Sequence, residues 1–142
     1  MEKCENKYCS CLLYTANALS RTISKLPDEE FSKAGLQSFS YAFLLMTVNN
    51  YPGIQAKDLA EKLELTQSTI TRLIEKMEYK NFLIRKHSGR VTKVYPTPEC
   101  KKIESKIIKS WENLHNNIDA LLGKDESAKL AETIFTAYSK LK

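Results

Sequence analysis

The sequence is poor both in residues that break regular structure and in residues that carry most enzyme chemistry. Its 142 residues include four glycines and four prolines, so long uninterrupted elements are expected. Only two histidines are present, His87 and His115, and neither has a partner at catalytic or metal-binding spacing. A glycine-rich phosphate loop and a His-Glu-x-x-His motif are both missing. These absences argue against an enzyme, and they predict a protein without a cofactor or a metal centre.

Long apolar runs are also missing. No stretch approaches the roughly 20 apolar residues that a membrane-spanning helix requires. The segment from Met1 to Lys7 lacks the apolar core of a secretory signal, so we expect a cytoplasmic protein without a membrane partner. The chain length and a hydrophobic content of 42% suit a single domain with one core.

Acidic residues are absent from one long segment, between Lys80 and Thr97. Mixed signs are typical of a solvated helix face, and the segment 57–62 shows such a mixture. The whole chain carries a formal net charge of +5. A basic segment in a basic chain indicates a polyanionic partner, with an ordinary solvated surface as the alternative. The positive residues of this segment are Lys80, Arg85, Lys86, Arg90 and Lys93.

Hydrophobic spacing predicts mainly helices in the first half of the chain. A first helix is expected over about residues 9–26, a polar connection over 28–35, and a buried helix that stops before Tyr51. A short helix over about 56–63 then leads through a turn to a second one. Thr66 caps this second helix, and Asn81 ends it in the left-handed conformation.

The pattern then changes to β-type segments on either side of Gly89, which predicts a hairpin with a tight turn. Thr97 as the cap and Pro98 at the first position begin a long helix that reaches about Leu122. Gly123 ends it, and a last helix runs from residue 125 or 126 to 141. The predicted order is therefore helix, helix, helix-turn-helix, hairpin, long helix, helix.

The second helix of the helix-turn-helix begins with compact polar side chains. In such motifs this helix enters the major groove of DNA, and its early residues meet base edges and phosphates. Glutamine pairs with adenine, arginine pairs with guanine, and hydroxyl groups reach phosphates. No acidic residue lies between Thr66 and Ile74 to repel the DNA backbone. The predicted DNA contacts of this helix are Thr66, Gln67, Ser68, Thr69, Thr71, Arg72 and Lys76.

The hairpin is expected to follow this helix as a basic wing beside the neighbouring minor groove, where the negative potential attracts arginine. The helix or the hairpin alone would also fit a solvated surface. Their order and their shared charge bias together predict DNA binding. The predicted wing contacts are Arg85, Lys86, His87, Arg90 and Lys93.

Residues 59–78 resemble the helix-turn-helix of the MarR family of bacterial and archaeal regulators, most specifically from Ser68 to Leu73. Residues 82–86 resemble the first wing strand of that family, and Gly35 with Leu36 resembles its turn into the second helix. The resemblance implies a mainly α fold with a small β-hairpin wing. It implies a winged helix-turn-helix over residues 35–97, flanked by dimerisation helices in 1–34 and 98–142.

The resemblance also implies a function. Such proteins are homodimeric transcriptional regulators, mostly repressors on palindromic operators. Many release double-stranded DNA when a small aromatic or phenolic ligand binds, and others when a cysteine is oxidised. The alternative is a winged-helix module that binds protein, which has no need of an unbroken positive segment.

The dimer has support from the sequence itself, in an apolar stripe along the long helix. The stripe is longer than one small domain easily covers, whereas a palindromic operator needs a two-fold protein. The alternative is that this helix packs only within its own chain. The stripe consists of Ile103, Ile107, Trp111, Leu114, Ile118 and Leu121.

Three features depart from the family pattern. Glu64 stands in the turn where the family commonly has glycine, which predicts a strained turn. Gln55 replaces the usual serine or threonine cap, a weaker choice. The wing is short and lacks the Asp-x-Arg pattern of the family, so the role of the wing arginine falls on Arg90.

The cysteines are the least settled feature of the sequence. In a cytosolic chain no structural disulfide framework is expected. Cys9 and Cys11 head the first helix near Lys7, a position that favours the reactive thiolate. In peroxide-sensing members of the family the cysteine aligns with Ser10, so that role does not transfer directly. The candidate redox thiols are Cys4, Cys9 and Cys11, with metal binding by these three or incidental thiols as alternatives.

Overall fold

The structure is a computed structural model that describes residues 5–142. Helices predominate, and one three-stranded antiparallel sheet has the strand order β1-β3-β2. A 3-10 turn at Lys7–Ser10 precedes the first helix. The elements are α1 (Leu12–Ile23), α2 (Lys25–Ser32), α3 (Phe39–Asn50), β1 (Ile54–Gln55), α4 (Ala56–Leu63), α5 (Gln67–Tyr79), β2 (Leu83–Ser88), β3 (Val91–Pro96), α6 (Pro98–Leu122) and α7 (Lys124–Leu141).

The N-terminal region differs from the expected single helix followed by a polar connection. The helix breaks at Ser24, and α2 begins at the next residue, so the predicted connection is wrong over 28–32. Pro27 lies in the first turn of α2, where a missing backbone amide costs nothing, rather than after a helix end. Phe31 is fully buried, which gives this short helix an apolar anchor against the rest of the molecule.

α3 is the centre of the core and packs against α6, α4, α5 and β3. The buried face of α5 that the sequence predicted is confirmed at Ile70, Ile74 and Met77, while Leu73 is half-buried. In the long helix, Ile107 and Leu114 are buried within the chain, whereas Leu121 is 73% exposed. The residues of α3 that fill the core are Tyr41, Ala42, Leu44, Leu45 and Val48.

The predicted hairpin is confirmed: β2 and β3 pair from Leu83 opposite Pro96 to Ser88 opposite Val91. Gly89 makes the turn with φ +62°. The two-residue strand β1 was not predicted, and it pairs through Ile54 with Val94. Gly53 precedes this strand, and a Cβ atom there would lie 3.2 Å from the Tyr95 ring. The wing therefore joins the helix-turn-helix at its base.

The helix caps follow the sequence signals. The Thr66 hydroxyl accepts a bond from the Thr69 amide at 3.3 Å, and α6 has the predicted bounds. The Thr97 hydroxyl accepts from the Cys100 amide at 3.2 Å and donates to the Asn81 carbonyl at 2.6 Å. Asn81 has φ +64°, the left-handed conformation expected after α5. The tie from Thr97 to Asn81 joins the start of α6 to the end of α5.

The helices α1 and α7 leave large apolar side chains on the surface. α1 buries none of its residues, and neither does α7. Leu13 is 74% exposed and Phe135 is 61% exposed. Within residues 5–142, none of the helices is long and apolar enough to cross a membrane. The exposed apolar residues of α7 are Leu130, Ile134, Phe135, Tyr138 and Leu141.

Candidate nucleic-acid interface

The start of α5 presents a group of hydroxyl side chains. Thr66 Oγ1 lies 3.2 Å from Ser68 Oγ and 2.9 Å from Thr69 Oγ1. Thr66, Gln67 and Ser68 are exposed, and Thr69 is half-buried. Free backbone amides and the positive end of the helix dipole at such a terminus favour an anion. The structure thus brings the predicted polar residues together at one end of one helix.

Thr71 is exposed, but its hydroxyl is engaged within α5. Thr71 Oγ1 donates to the Gln67 carbonyl at 2.9 Å. Because the hydroxyl proton of Thr71 is donated within the helix, its side chain can offer only a methyl group and an acceptor oxygen to DNA. A thymine methyl suits this arrangement better than a phosphate does.

Arg72 and Lys76 extend the same helix surface with positive charge. Both are exposed, and neither forms an ion pair with any of the residues 5–142. An unpaired guanidinium group can reach a base edge or a phosphate without first breaking an internal bond. These two side chains therefore suit an outside anionic partner.

The wing exposes most of its predicted contacts. The Lys86 ammonium lies 4.8 Å from the centre of the Tyr95 ring, a cation-π contact that holds its stem in place. His87 Nδ1 is 3.0 Å from Thr92 Oγ1 across the hairpin. Arg90 at the turn and Lys93 on β3 are exposed. Four predicted wing contacts thus lie on the surface.

Arg85 differs from the other wing residues because it has internal partners. Its Nε atom is 2.7 Å from Glu78 Oε1, and a second nitrogen is 3.9 Å from Glu75 Oε1. Its backbone amide also donates to Glu78 Oε2 at 3.2 Å. The side chain is only 26% exposed. Its role as a DNA contact stays a prediction, and its geometry shows a residue that fixes the wing to α5.

A cavity of about 430 Å³ opens between α3 and α5, beside the exposed cations. Sequence reasoning missed it because Gln37 and Tyr41 approach α5 only in the folded chain. A smaller cavity of about 170 Å³ adjoins it and shares Tyr41, Arg72 and Lys76. The walls of the larger cavity are Gln37, Tyr41, Arg72, Glu75, Lys76, Met77, Tyr79 and Lys80.

The cysteines fall into different environments. Cys4 lies outside the described residues. Cys9 is disulfide-bonded, which differs from the expectation that the chain has no structural disulfide. Cys11 is an exposed free thiol. Cys100 is buried beside Asn49, and burial raises the pKa of its thiol to about 11, so it is an inert core residue.

Two other expectations concern metal binding and His115. Residues 5–142 contain no group of three or more His, Cys, Asp or Glu side chains arranged to hold a metal ion. His115, which the sequence left without a catalytic or metal-binding partner, is exposed, and its ring contacts Trp111 with centroids 4.4 Å apart. An exposed face of α6 therefore carries this aromatic pair.

The winged helix-turn-helix geometry agrees with a sequence match. The MarR family model matches residues 41–90, which run from α3 through the helix-turn-helix to the turn of the wing. This segment, about a third of the chain, is similar to the MarR family. The resemblance seen in the sequence is thereby confirmed, and so is the mainly α fold with a small wing.

A curated relative of this chain is the uncharacterised HTH-type transcriptional regulator YybA of Bacillus subtilis (strain 168). The two are 27% identical over 95 residues, which is 65% of this chain and 63% of the relative. The match thus spans less than two thirds of the relative. It supports the helix-turn-helix rather than every property of the whole protein.

Solved structures share the whole fold. The transcriptional regulator PcaV of Streptomyces coelicolor, in complex with its natural ligand, has a TM-score of 0.85 at 18% identity over 99% of this chain and 100% of its own. The transcriptional repressor CouR, bound to a 23-mer DNA duplex, has a TM-score of 0.83 at 15% identity over 97% and 99%. These likenesses establish that the chain shares the fold of these two proteins.

Proposed function

We propose that this chain is a MarR-family transcriptional regulator that binds a specific DNA sequence as a homodimer and represses the genes it controls. One observation carries the proposal: α5 and the wing expose positive side chains that form no ion pair with residues 5–142, together with the hydroxyl groups at the start of α5. Arg72 and Lys76 lie on the helix, and Arg90 and Lys93 lie on the wing. The DNA-bound repressor with the same fold supports this assignment.

The helix α5 and the wing are expected to make different kinds of DNA contact, because their side chains differ in chemistry. Arg72 and Gln67 have the donors and acceptors that distinguish bases in the major groove. Arg90 and Lys93, at and beside the tip of a hairpin, suit phosphates or the minor groove. Base contacts give sequence preference, whereas phosphate contacts give affinity that depends on salt.

The homodimer rests on the unpartnered apolar surface of α1 and α7. Exposed apolar patches of this extent mark interaction sites, because monomeric proteins rarely leave them in water. Leu12, Leu13 and Phe135 are each more than half exposed in the single chain. A second copy would cover these helices and present two copies of α5 to a palindromic site.

The cavity between α3 and α5 is the proposed effector site. The Tyr41 ring and the Met77 side chain give it an apolar wall, and Arg72, Lys76 and Lys80 outnumber the single carboxylate of Glu75. These walls suit a small aromatic or phenolic anion. Because Arg72 and Lys76 also belong to the DNA surface, a bound anion would occupy the groups that DNA needs.

Oxidation of a cysteine is the second candidate switch. Cys11 is an exposed free thiol at the N-cap of α1, next to the surface assigned to the dimer. An oxidised side chain there would change the packing of α1 against a partner chain. Repeating the DNA measurements with a reductant and with a mild oxidant separates this switch from the effector cavity.

The experiment that tests the function is selection of bound sequences from a random DNA pool, followed by salt titration on the recovered sequence. We expect a palindrome with half-sites about one helical turn apart and an affinity that falls steeply with salt. A pool without enrichment, together with shallow salt dependence, would favour a protein-binding module instead.

A further inference from the structure

The turn between α4 and α5 holds a carboxylate in an unusual backbone conformation. Glu64 has φ +54° and ψ +41°, a left-handed conformation that favours glycine. The amide of the next residue, Leu65, donates to the Ala60 carbonyl at 3.0 Å, which closes the end of α4. The negative side chain is thereby fixed immediately before the cap of α5.

The lysine that follows the last helix reaches this carboxylate. Lys142 Nζ lies 2.8 Å from Glu64 Oε1, although the two residues are 78 positions apart in the chain. The hydrogen bond to this carboxylate raises the pKa of the Lys142 ammonium above its ordinary value. α7 otherwise packs mainly against α6. The ion pair is therefore a contact between the last helix and the helix-turn-helix.

The ion pair borders the surface assigned to DNA. Glu64 and Lys142 line a cleft of about 680 Å³ together with Lys57, Thr66 and Gln67. Thr66 and Gln67 begin α5, where the proposed contacts with bases and phosphates lie. An unpaired carboxylate at this place would repel the DNA backbone, and the ammonium group cancels that charge.

We propose that Lys142 is a positioning residue for DNA binding that acts through Glu64: it neutralises this carboxylate beside the start of α5 and ties α7 to the turn. The inference rests on the proposed function. Both side chains are about half exposed or more, so the pair contributes little to folding stability. Its effect is expected on DNA affinity instead.

The test is a double-mutant cycle on the full-length chain with the selected DNA, measured by fluorescence anisotropy. Lys142→Ala should weaken DNA binding by about three- to tenfold, because it leaves the negative charge of Glu64 without its partner near the DNA phosphates. In a Glu64→Gln background the same change should alter the affinity by less than about twofold. Lys142→Arg should retain wild-type affinity. Lys140→Ala, which removes an exposed lysine in the last turn of α7, should have no effect.

Salt dependence separates the inference from a direct contact. If Lys142 touched a phosphate, its removal would weaken DNA binding equally in the wild-type and the Glu64→Gln backgrounds. It would also lower the slope of log affinity against log salt concentration by about one. That result would overturn the inference, and so would equal affinities of all four proteins in the cycle. A wild-type chain that binds no specific DNA would instead overturn the proposed function and this inference with it.

Discussion

Glu78 holds Arg85 by two bonds, one to the side chain and one to the backbone. Glu78 Oε1 accepts from Nε at 2.7 Å, and Oε2 accepts from the Arg85 amide at 3.2 Å. Glu78 belongs to α5, whereas Arg85 belongs to β2, an edge strand of the sheet. The Glu78 carboxylate therefore fixes the position of the wing relative to α5, the helix that is proposed to enter the major groove.

Removing that carboxylate should loosen the wing. We expect Glu78→Gln to lower the free energy of unfolding by about 1–2 kcal/mol, because both bonds are charge-assisted and the side chains are mostly buried. Urea denaturation gives this value. Glu75→Gln is the matched control, since its contact with Arg85 is 3.9 Å long and its side chain is 55% exposed. Equal effects of the two changes would contradict the special role of Glu78.

Glu64→Gly should stabilise the chain. A glycine adopts the left-handed conformation without strain, so we expect a gain of about 0.5–1 kcal/mol despite the loss of an exposed ion pair. Thermal or urea unfolding measures the change. Asn81→Gly is the comparison, and its gain should be smaller because asparagine tolerates this conformation. Destabilisation by Glu64→Gly would show that the turn is not strained.

The assembly can be tested on the exposed face of α7. Light scattering should give the wild type a mass twice that of the 16.3 kDa chain. Phe135→Asp should give a single-chain mass, since it places a charge in the proposed apolar interface. Tyr79→Asp should remain dimeric, because Tyr79 is 92% exposed on α5 and outside that face. A monomeric wild type would refute the dimer.

If the cavity between α3 and α5 is the effector site that we propose, the protein should respond to a small phenolic anion. 2-Hydroxybenzoate should release the selected DNA from the wild type in an anisotropy titration. Gln37→Ala should raise the concentration of 2-hydroxybenzoate needed for this release by about two- to tenfold, because the proposed hydrogen bond from Gln37 to the ligand is lost. The affinity for DNA without the ligand should be unchanged. Gln55→Ala, an exposed glutamine away from the cavity, should respond as the wild type does. Identical responses of both variants would place the ligand elsewhere.

Local signals predicted the elements well. The bounds of α6 follow from a threonine cap with proline at one end and glycine at the other, and the hairpin follows from Gly89 between β-type segments. Pro27 misled the prediction because proline fits both the first turn of a helix and the position after its end. Helical periodicity alone assigns the buried face of α5. The remaining positions of the helix could therefore be predicted to lie on the surface.

Relations between elements could not be predicted in the same way. The partner of Arg85 depends on how the left-handed residue Asn81 turns the chain from α5 into the wing. The bond between Lys142 and Glu64 joins residues far apart in the sequence, and the cavity forms only where α3 meets α5. Such contacts are properties of tertiary packing, which a single sequence does not reveal.

We propose that α5 contacts the bases while the wing binds the DNA backbone, and two arginine variants distinguish these roles. On the selected sequence and on a version with changed bases, Arg72→Ala should reduce the preference between the two sites by about 1–3 kcal/mol. Arg90→Ala should weaken binding to both sites equally. Equal, uniform losses of affinity from the two variants would show that α5 and the wing do not differ in this way.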